Sequence, residues 1–578
     1  MSGIPLIIVV GGDALAIRVC EELCGTQGHR VAFLWMHSPE LAERIERLGA
    51  TFIGQGPNDY DALTTAGVTG AASILVLDED DRLNLQVGLK ARDLNPEIRV
   101  VMRQFNRTLG RKIEQNLPNC SVLSLAAHAA ATFASAALDR ACFYALQFPE
   151  IDGVLGGFSQ RLASEFGIAG ISVAEAQTRL NSRIIGVAGS DTFEPTRMLY
   201  PDENIVVFGR IELLESTAPE MLEEEREERE RERLTFQHVR RRVVQRWRRI
   251  DPILKRIGFT TLIFFVIAVA TMSFALKKDL VTTIYFVITT MTTVGYGDIT
   301  PLGNPFAMIF STVVMVAGVA ASGIFIAFAT SALTRAQWVA MQGLRQVQTH
   351  GHVIVCGSGN VGSRVIEYLQ EHHKRVVVID SNPGPALIEA SRNRHIELLT
   401  GDATSDVTLD LCNLKSARAL IALTESDTAN LEVTLGARAR NPGLPVVMRI
   451  QDDTFARSIA RQFGITTTFS TAALAAPAFA GLSRFPGSRG RIAFGDDEYN
   501  IGERQQGEVP APPPANHCIA LGVWRKNKFL HIDRFDEMEP FDRLLFIVPL
   551  SQFRLQKVAP VAAEISVPPP PSVEPVAP

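Results

Sequence analysis

Two long apolar segments limit what this chain can fold into more than any other feature. Ile257–Leu276 and Phe306–Leu333 contain no charged residue, although charged residues make up 21% of the 578-residue chain. A helix rises about 1.5 Å per residue, so about 20 apolar residues are enough to cross the hydrocarbon core of a bilayer. The sequence therefore predicts two membrane-spanning helices in the middle of the chain.

Basic residues flank both segments, at Arg246–Arg256 before the first and at Arg335 after the second. Such residues favour the cytosolic side of a membrane, and two crossings return the chain to the side where it started. We therefore expect a protein of the inner (plasma) membrane, in contact with the lipid bilayer, with both ends in the cytosol. At the start of the chain, Leu6–Val10 is typical of a first β-strand rather than of a signal peptide.

The segment between the two spans, Tyr285–Asp298, is too short for a third crossing. Its length suits a short helix followed by an extended return. Backbone that is not helical can lie at membrane depth only where it is buried in protein or lines a water-filled path. We therefore interpret this segment as a re-entrant loop that lines a pore.

An internal repeat organises the rest of the chain. Residues 5–105 match residues 352–450 at an offset of about 346, so that Asn84 corresponds to Asn430. Each copy alternates short β-branched runs with amphipathic helical stretches, which is the pattern of a parallel sheet built from βαβ units. A smaller segment with short apolar runs follows each copy. We predict two cytosolic Rossmann-like α/β modules, each with a small α+β C-terminal lobe.

The second copy opens with a strand that runs into a GxGxxG loop, followed by a helix and an acidic residue. Glycines at these positions let a diphosphate approach the helix N-terminus, and the acid accepts the ribose hydroxyls. The acid also argues against NADP, because it would repel the 2′-phosphate. The residues of this predicted nucleotide site are Gly357, Ser358, Gly359, Asn360, Val361, Gly362 and Asp380.

The first copy departs from this pattern. Asp13 stands where Gly359 stands in the second copy, and Trp35 stands where Asp380 stands. A carboxylate would face the diphosphate, and no acid remains for the ribose, so we interpret this copy as structural or as binding another ligand. An acidic run after its fourth strand is a weak candidate for a divalent cation, with a solvated loop as the alternative. That run consists of Asp78, Glu79, Asp80 and Asp81.

The segment between the spans resembles the pore of prokaryotic two-span potassium channels. The resemblance implies a homotetramer, in which four loops surround potassium ions with rings of carbonyl oxygens. Gly318 and Gly323 would form a gating hinge, although small residues also allow close helix packing. The implied selectivity filter is Thr293, Val294, Gly295, Tyr296 and Gly297, and the implied supporting residues are Thr292, Asp298, Tyr285 and Phe286.

The second copy resembles the RCK or KTN (TrkA-N-like) domains that regulate potassium conductance. This resemblance adds Asp402 to the nucleotide site and implies NAD(H), ATP, ADP or AMP as the regulatory ligand. Familiar members of the family carry their regulatory domains after the pore, whereas one module precedes the pore here. In the first copy Gln55 replaces Asp402.

Together these features predict a potassium-selective channel, not an enzyme, that is gated by ligand binding to its cytosolic modules. One alternative is a nucleotide-sensing regulatory component of a potassium uptake system, and another is a membrane-attached Rossmann oxidoreductase. No catalytic His/Asp or Tyr/Lys constellation stands out after the nucleotide half. A net charge of −5 without a basic stripe gives no support for a nucleic-acid partner.

The predicted order of domains follows the repeat and the spans. The boundaries are first N-lobe 1–150, first C-lobe 151–216, charged helical linker 217–250, pore domain 251–335, linker to the gate 336–350, second N-lobe 351–485, second C-lobe 486–552 and Pro-rich tail 553–578.

Overall fold

The chain forms two compact units, one from residues 1–219 together with 346–578 and one from residues 220–345. The predicted tail and nearly all of the predicted charged linker lie outside the residues that the structure describes. The computed structural model describes residues 4–26, 28–147, 155–187, 195–217, 252–341, 346–393, 396–495, 497–505, 518–525, 528–530, 539 and 542–550.

The first repeat forms a six-stranded parallel sheet in the order β3-β2-β1-β4-β5-β6. The strand order reverses at β1, which creates the crevice where doubly wound sheets bind ligands. The strands are β1 (Leu6–Val10), β2 (Arg30–Trp35), β3 (Thr51–Gly54), β4 (Ser73–Val76), β5 (Arg99–Arg103) and β6 (Cys120–Leu123). The helices are α1 (Ala14–Glu21), α2 (Pro39–Arg47), α3 (Tyr60–Thr65), α4 (Asp81–Leu94), α5 (Arg107–Asn116) and α6 (Leu125–Leu138).

A small antiparallel sheet follows, in the order β7-β8-β10-β9. Because β7 pairs with β8, this C-lobe begins near residue 142 rather than at the predicted boundary of 151. Its elements are β7 (Cys142–Gln147), β8 (Leu155–Leu162), α7 (Val173–Leu180), β9 (Arg183–Val187), β10 (Asn204–Arg210) and α8 (Ile211–Ser216).

The second unit contains three helices, α9 (Pro252–Leu276), α10 (Leu280–Met291) and α11 (Pro305–Met341). By length and composition α9 and α11 can cross a membrane, with hydropathies of 2.3 and 2.0 over their apolar windows. Only 17% and 22% of those windows are buried within one chain. The two predicted spans are therefore present as helices, and α11 continues past the predicted end of the pore domain at residue 335.

The second repeat forms a parallel sheet with the same topology, in the order β13-β12-β11-β14-β15-β16. Its strands are β11 (His352–Cys356), β12 (Val376–Asp380), β13 (Ile396–Thr400), β14 (Ala417–Ala422), β15 (Val446–Arg449) and β16 (Thr468–Phe469). Its helices are α12 (Asn360–Glu371), α13 (Pro385–Asn393), α14 (Asp406–Leu411), α15 (Asp427–Arg440), α16 (Asp453–Phe463) and α17 (Thr471–Leu482).

The second C-lobe is an antiparallel sheet in the order β17-β18-β21-β19-β20. Its inner face packs against the first C-lobe sheet, so that Phe158 and Phe208 share one core with Ile501 and Leu545. Its strands are β17 (Ser488–Phe494), β18 (Asp497–Gln505), β19 (Ile519–Arg525), β20 (Lys528–Leu530) and β21 (Arg543–Pro549).

One pair of buried asparagines shows how closely the repeats correspond. The Asn84 side chain accepts a hydrogen bond from the Asp78 amide at 3.0 Å and donates to the carbonyl of Arg103 at 2.9 Å. In the second repeat, Asn430 accepts from the Thr424 amide at 2.9 Å and donates to the carbonyl of Arg449 at 3.1 Å. Each asparagine therefore ties together the carboxyl ends of the fourth and fifth strands, beside the crevice.

The two modules exchange their sixth helices. Phe479 and Ala475 of α17 lie in the first module's core with Val9 and Val19, and Phe133 of α6 lies in a core with residues of the second module such as Val353. Both helices are apolar on all faces, as a helix buried on every side must be. Each module therefore supplies part of the other's core.

Candidate functional site

The loop after α10 has an alternating backbone. Thr293, Gly295 and Gly297 have positive φ angles of 62°, 49° and 77°, whereas the residues between them do not. Alternation between left-handed and right-handed residues turns successive carbonyl groups to the same side of the chain. Glycine accepts the left-handed region without steric cost, which accounts for two of the three positions. The alternating signs of φ are the backbone pattern expected of a loop whose carbonyl groups act as ligands.

Hydrogen bonds tie both ends of this loop to α10. The carbonyl of Thr289 accepts from the amides of Val294 and Gly295, at 3.0 and 3.1 Å. At the other end, the Tyr285 hydroxyl donates to Asp298 Oδ2 at 2.9 Å, and its ring stacks on that of Tyr296 with 6.4 Å between centroids. The structure thus places Tyr285 and Asp298 where they support the loop.

The two other predicted supporting residues belong to α10 and its C-terminus. Phe286 is buried in a small core together with Ala268, Met272 and Val314. Thr292 is the C-cap residue of α10, and its hydroxyl donates to the carbonyl of Ile288 at 2.8 Å. Both residues fix the end of α10 from which the loop departs.

Gly318 has a packing role. A β-carbon added at this residue would overlap the backbone of Met291, at the end of α10, whereas one added at Gly323 would meet no atom within 4 Å in the described part of the chain. The α11 helix continues without a break through both glycines. The geometry at Gly318 therefore favours the close-packing alternative, and the gating hinge stays a prediction.

The glycine-rich loop after β11 is open to an incoming ligand. Gly357 has a φ of 94°, and a β-carbon at Gly362 would overlap the carbonyl of Gly357, so the helix and the strand approach closely. A β-carbon at Gly359 would meet no atom within 4 Å. Since α12 begins directly after Gly359 without a side-chain cap, its first amides can bind an anion.

Two carboxylates face the same crevice. Asp380 Oδ2 accepts from the amide and the hydroxyl of Ser358, each at 2.6 Å, and Oδ1 accepts from the Asn382 amide at 2.8 Å. Burial by itself would raise the pKa of Asp380, but these hydrogen bonds outweigh it and lower the pKa below its ordinary value. Hydrogen bonds from the amide and hydroxyl of Thr404 lower the pKa of Asp402 as well. Both acids are therefore charged acceptors at neutral pH.

These residues line a cavity of about 980 Å³ to which both modules contribute. Every predicted nucleotide residue except Gly362 lines it, and Gly362 lies behind the loop instead. The sequence did not predict that the first module forms part of the cavity wall. The exchange of α6 places that part of the first module beside the second module's crevice. That part includes Glu79, Asp81, Arg103, Gln104, Phe105 and Ser124, and the second module adds Thr424, Glu425, Arg449 and Thr471.

Arg449 is the most informative of the missed residues. Its Nε is buried without a hydrogen-bond partner, and its guanidinium makes no ion pair within the described residues. Burial lowers the pKa of Arg449, while the negative charges of Glu425, Asp427 and Glu79 act in the opposite direction. A half-buried cation without an ion pair, in the same cavity as open helix amides, suits the phosphates of a nucleotide. The repeat could have revealed it, because Arg449 corresponds to Arg103.

In the first module, side chains of the protein itself fill the corresponding crevice. A β-carbon at Gly12 would overlap the indole of Trp35, so that ring lies directly against the glycine loop. Asp13 accepts from Arg103 Nη1 at 2.5 Å. The carboxylate and indole that replace Gly359 and Asp380 thus occupy the space where a nucleotide would lie.

The acidic run after β4 does not form a metal site in this structure. Asp78 accepts from the Asp80 amide, Asp80 caps α4, and Asp81 accepts from the amide of Phe105 at 2.9 Å. Glu79 is exposed and lies 3.8 Å from Arg103. Within the described ranges, no three His, Cys, Asp or Glu side chains form a group that could hold a metal ion. The structure therefore does not support this weak candidate.

Comparison with known families agrees with this architecture. The TrkA-N domain family matches residues 7–117 and 353–471, and the ion channel family matches residues 257–335. Potassium channel protein 1 of Methanocaldococcus jannaschii is 29% identical over 181 residues, which are 30% of this chain and 53% of that protein. The voltage-gated potassium channel Kch of Escherichia coli is 27% identical over 179 residues, which are 30% of this chain and 43% of that protein.

The chain spans about a third to a half of the length of the first relatives that it matches. Among solved structures, the GsuK channel bound to NAD covers 96% of this chain at 14% identity, with 78% of that chain covered and a TM-score of 0.49. The family matches cover the pore region and most of the N-lobes of both modules. The chain therefore joins an ion channel domain to two TrkA-N domains, with one TrkA-N domain on each side of the ion channel domain.

Proposed function

We propose that this protein is a potassium-selective channel of the inner membrane, with both ends in the cytosol. The alternating φ angles from Thr293 to Gly297 carry the proposal, because a filter backbone of this kind would present carbonyl oxygens in place of the hydration shell of a potassium ion. The names of the two relatives as potassium channels support the choice of ion.

The proposed channel is a homotetramer, since one loop supplies a quarter of a filter. Within one chain, Tyr296 is 72% exposed and Val294 is 52% exposed. Large apolar side chains of α9 and α11 are also exposed, Phe259 at 65% and Val316 at 67% among them. Neighbouring subunits and lipid would cover these surfaces.

The proposed gating ligand is NAD(H) or an adenine nucleotide in the cavity between the modules. Gly359 and the α12 amides would hold the diphosphate, Asp380 would hold the ribose, and Arg449 would hold a phosphate. Because both modules form the wall, a ligand there binds best to one arrangement of them. It can shift the gate only by the difference between its affinities for the open and closed arrangements.

The test is potassium efflux from liposomes that contain the purified full-length protein, with NAD⁺, NADH, ATP and ADP added in turn. Sodium-loaded liposomes measure selectivity. We expect Gly295→Ala to abolish efflux, because a side chain at φ 49° strains the filter backbone. We expect Gly359→Asp to keep potassium efflux and to lose the nucleotide response. Glu389→Gln, an exposed change on α13, is the control.

Each failure has a distinct meaning. Potassium efflux that ignores all four nucleotides would keep the channel and overturn nucleotide gating. A protein that binds nucleotide but releases no potassium would overturn the channel and favour a regulatory component of a potassium uptake system. Equal efflux of sodium and potassium would contradict selectivity.

A further inference from the structure

A pair of cysteines lies at the end of the first helix of the first module. Cys20 belongs to α1, and Cys24 belongs to a π-helical turn, Glu22–Thr26, that continues this helix. The Cys20 thiol donates a hydrogen bond to the Cys24 sulfur. Cα atoms four residues apart in a helix are separated by about 6 Å, which is within the range that a disulfide spans. The two thiols are therefore placed to react with each other.

The π-helical turn accommodates one additional residue in the first copy of the repeat. This copy has eight residues in α1 and five in the turn, whereas the equivalent helix of the second copy, α12, has twelve. Cys20 corresponds to Ile366, and the second copy has no cysteine between Asn360 and Lys374. Insertions that form a π-helical turn are frequent at functional sites. The turn and the cysteine pair thus occur together in one of the two copies.

The two thiols differ in their access to solvent. Cys20 is fully buried in the first module's core, which includes Phe479 of α17, whereas Cys24 is half-buried and packs against the same core. Glu22, at the start of the turn, forms an ion pair with Arg491 of β17 at 2.6 Å. The turn that carries Cys24 therefore lies at a contact between the two modules.

The hydrogen bond between the thiols favours Cys24 as the reactive one. It lowers the pKa of Cys24 below its ordinary value, although burial acts in the opposite direction. The same hydrogen bond, together with burial, raises the pKa of Cys20. Redox-sensing cysteines combine a lowered pKa and access to solvent with a neighbouring thiol that resolves the oxidised form. Cys24 has the properties of the first thiol, and Cys20 has the position of the second.

We propose that Cys24 and Cys20 form a site of reversible oxidation by hydrogen peroxide. The Cys24 thiolate attacks one oxygen of the peroxide, the O–O bond breaks, and a sulfenic acid and water are formed. The Cys20 sulfur then attacks the sulfenic sulfur and gives up its proton, and the S–O bond breaks to release a second water. Peroxide thus accepts two electrons, and the two thiols become one disulfide until a thiol reductant restores them. Oxidation acts on the turn through which the first module contacts α17 and β17.

The test is peptide mass spectrometry of the purified full-length protein after treatment with hydrogen peroxide. Trypsin cuts after Arg18 and Arg30, so the peptide Val19–Arg30 contains both cysteines of the pair and no other. We expect this peptide to lose the mass of two hydrogen atoms, and to regain it after dithiothreitol is added. Cys24→Ser should abolish this loss. In Cys20→Ala we expect Cys24 to gain oxygen atoms instead, because no thiol resolves the sulfenic acid.

Cys120 is the matched control, because it is also half-buried in the first module but burial raises its pKa to about 11. We expect Cys120 to stay reduced at the peroxide dose that converts the pair, and Cys120→Ser to leave that conversion unchanged. The proposal is overturned if the mass of Val19–Arg30 does not change, if this peptide gains only oxygen atoms in the unsubstituted protein, or if Cys120 is oxidised equally. The readout requires neither potassium flux nor nucleotide, so it is independent of the proposed channel activity.

Discussion

The two modules have one topology, but the crevice of the second module is open and that of the first module is filled by side chains. In the second module, Gly359 leaves open space, and the Arg449 guanidinium makes no ion pair within the described residues. In the first module, Asp13 and Arg103 form an ion pair and Trp35 covers the glycine loop. The same fold can thus present a crevice that is open or one that is filled by the protein's own side chains, while the framework around the crevice remains.

The largest expected effect concerns the hydrophobic cores to which both modules contribute. Phe479 of α17 is fully buried in the first module's core, so Phe479→Ala should lower the free energy of unfolding by about 3–5 kcal/mol. Urea unfolding followed by circular dichroism measures this effect. The half-exposed Phe463→Ala is the control and should change stability little. Equal effects of the two substitutions would contradict the exchange of helices.

The next prediction concerns the shared framework. Asn84→Ala and Asn430→Ala each remove hydrogen bonds to the ends of two strands and leave buried backbone groups without partners. We expect each to lower the free energy of unfolding by about 2–3 kcal/mol. Equal losses in urea unfolding would show that both crevices need the same scaffold. A loss of stability confined to Asn430→Ala would show that the two crevices do not depend on the same framework.

Arg449 and Arg103 test the crevices themselves. We expect Arg449→Gln to weaken nucleotide binding about tenfold with little loss of stability, because the guanidinium has no ion pair within the described residues. Arg103→Gln should instead lower stability, because it leaves the Asp13 carboxylate without its cation. Calorimetry with ADP and urea unfolding of both variants separate the two effects. Weaker ADP binding in Arg103→Gln together with lower stability in Arg449→Gln would overturn our interpretation of the two crevices.

The smallest prediction uses another difference between the modules. His128 in α6 corresponds to Leu474 in α17, and burial, helped by the positive charge of Arg489, lowers the pKa of His128 to about 4. The unfolded chain binds this proton more readily than the folded chain. The contribution of the neutral His128 to the free energy of unfolding is therefore fully present above pH 6.5 and is lost as the pH falls toward 4. His128→Gln should flatten this loss in urea unfolding at several pH values. The exposed His350→Gln should leave the loss unchanged.

The sequence predicted the architecture well, because its signals are local. Apolar runs marked the spans, the repeat marked the two sheets, and Gly357 and Asp380 marked one open crevice. It also indicated the closed crevice, since Asp13 and Trp35 replace the residues that a nucleotide needs.

The first module's part of the nucleotide cavity could not be predicted in the same way. Phe105 and Ser124 reach that cavity through packing between segments more than 200 residues apart, and no local pattern encodes such packing. Gly318 shows a related limit. A glycine within a helix fits both a hinge and a close contact, and only the position of Met291 favours the contact.

The exchanged helices also have a consequence for biosynthesis. The first module's core needs Phe479, which the ribosome adds roughly 340 residues after Leu138. At roughly 5–20 residues per second, this interval is on the order of tens of seconds. During that time the first module has an uncovered apolar face while both spans are being synthesised. We expect chaperones to bind the nascent chain in that interval, and release to follow the emergence of α17.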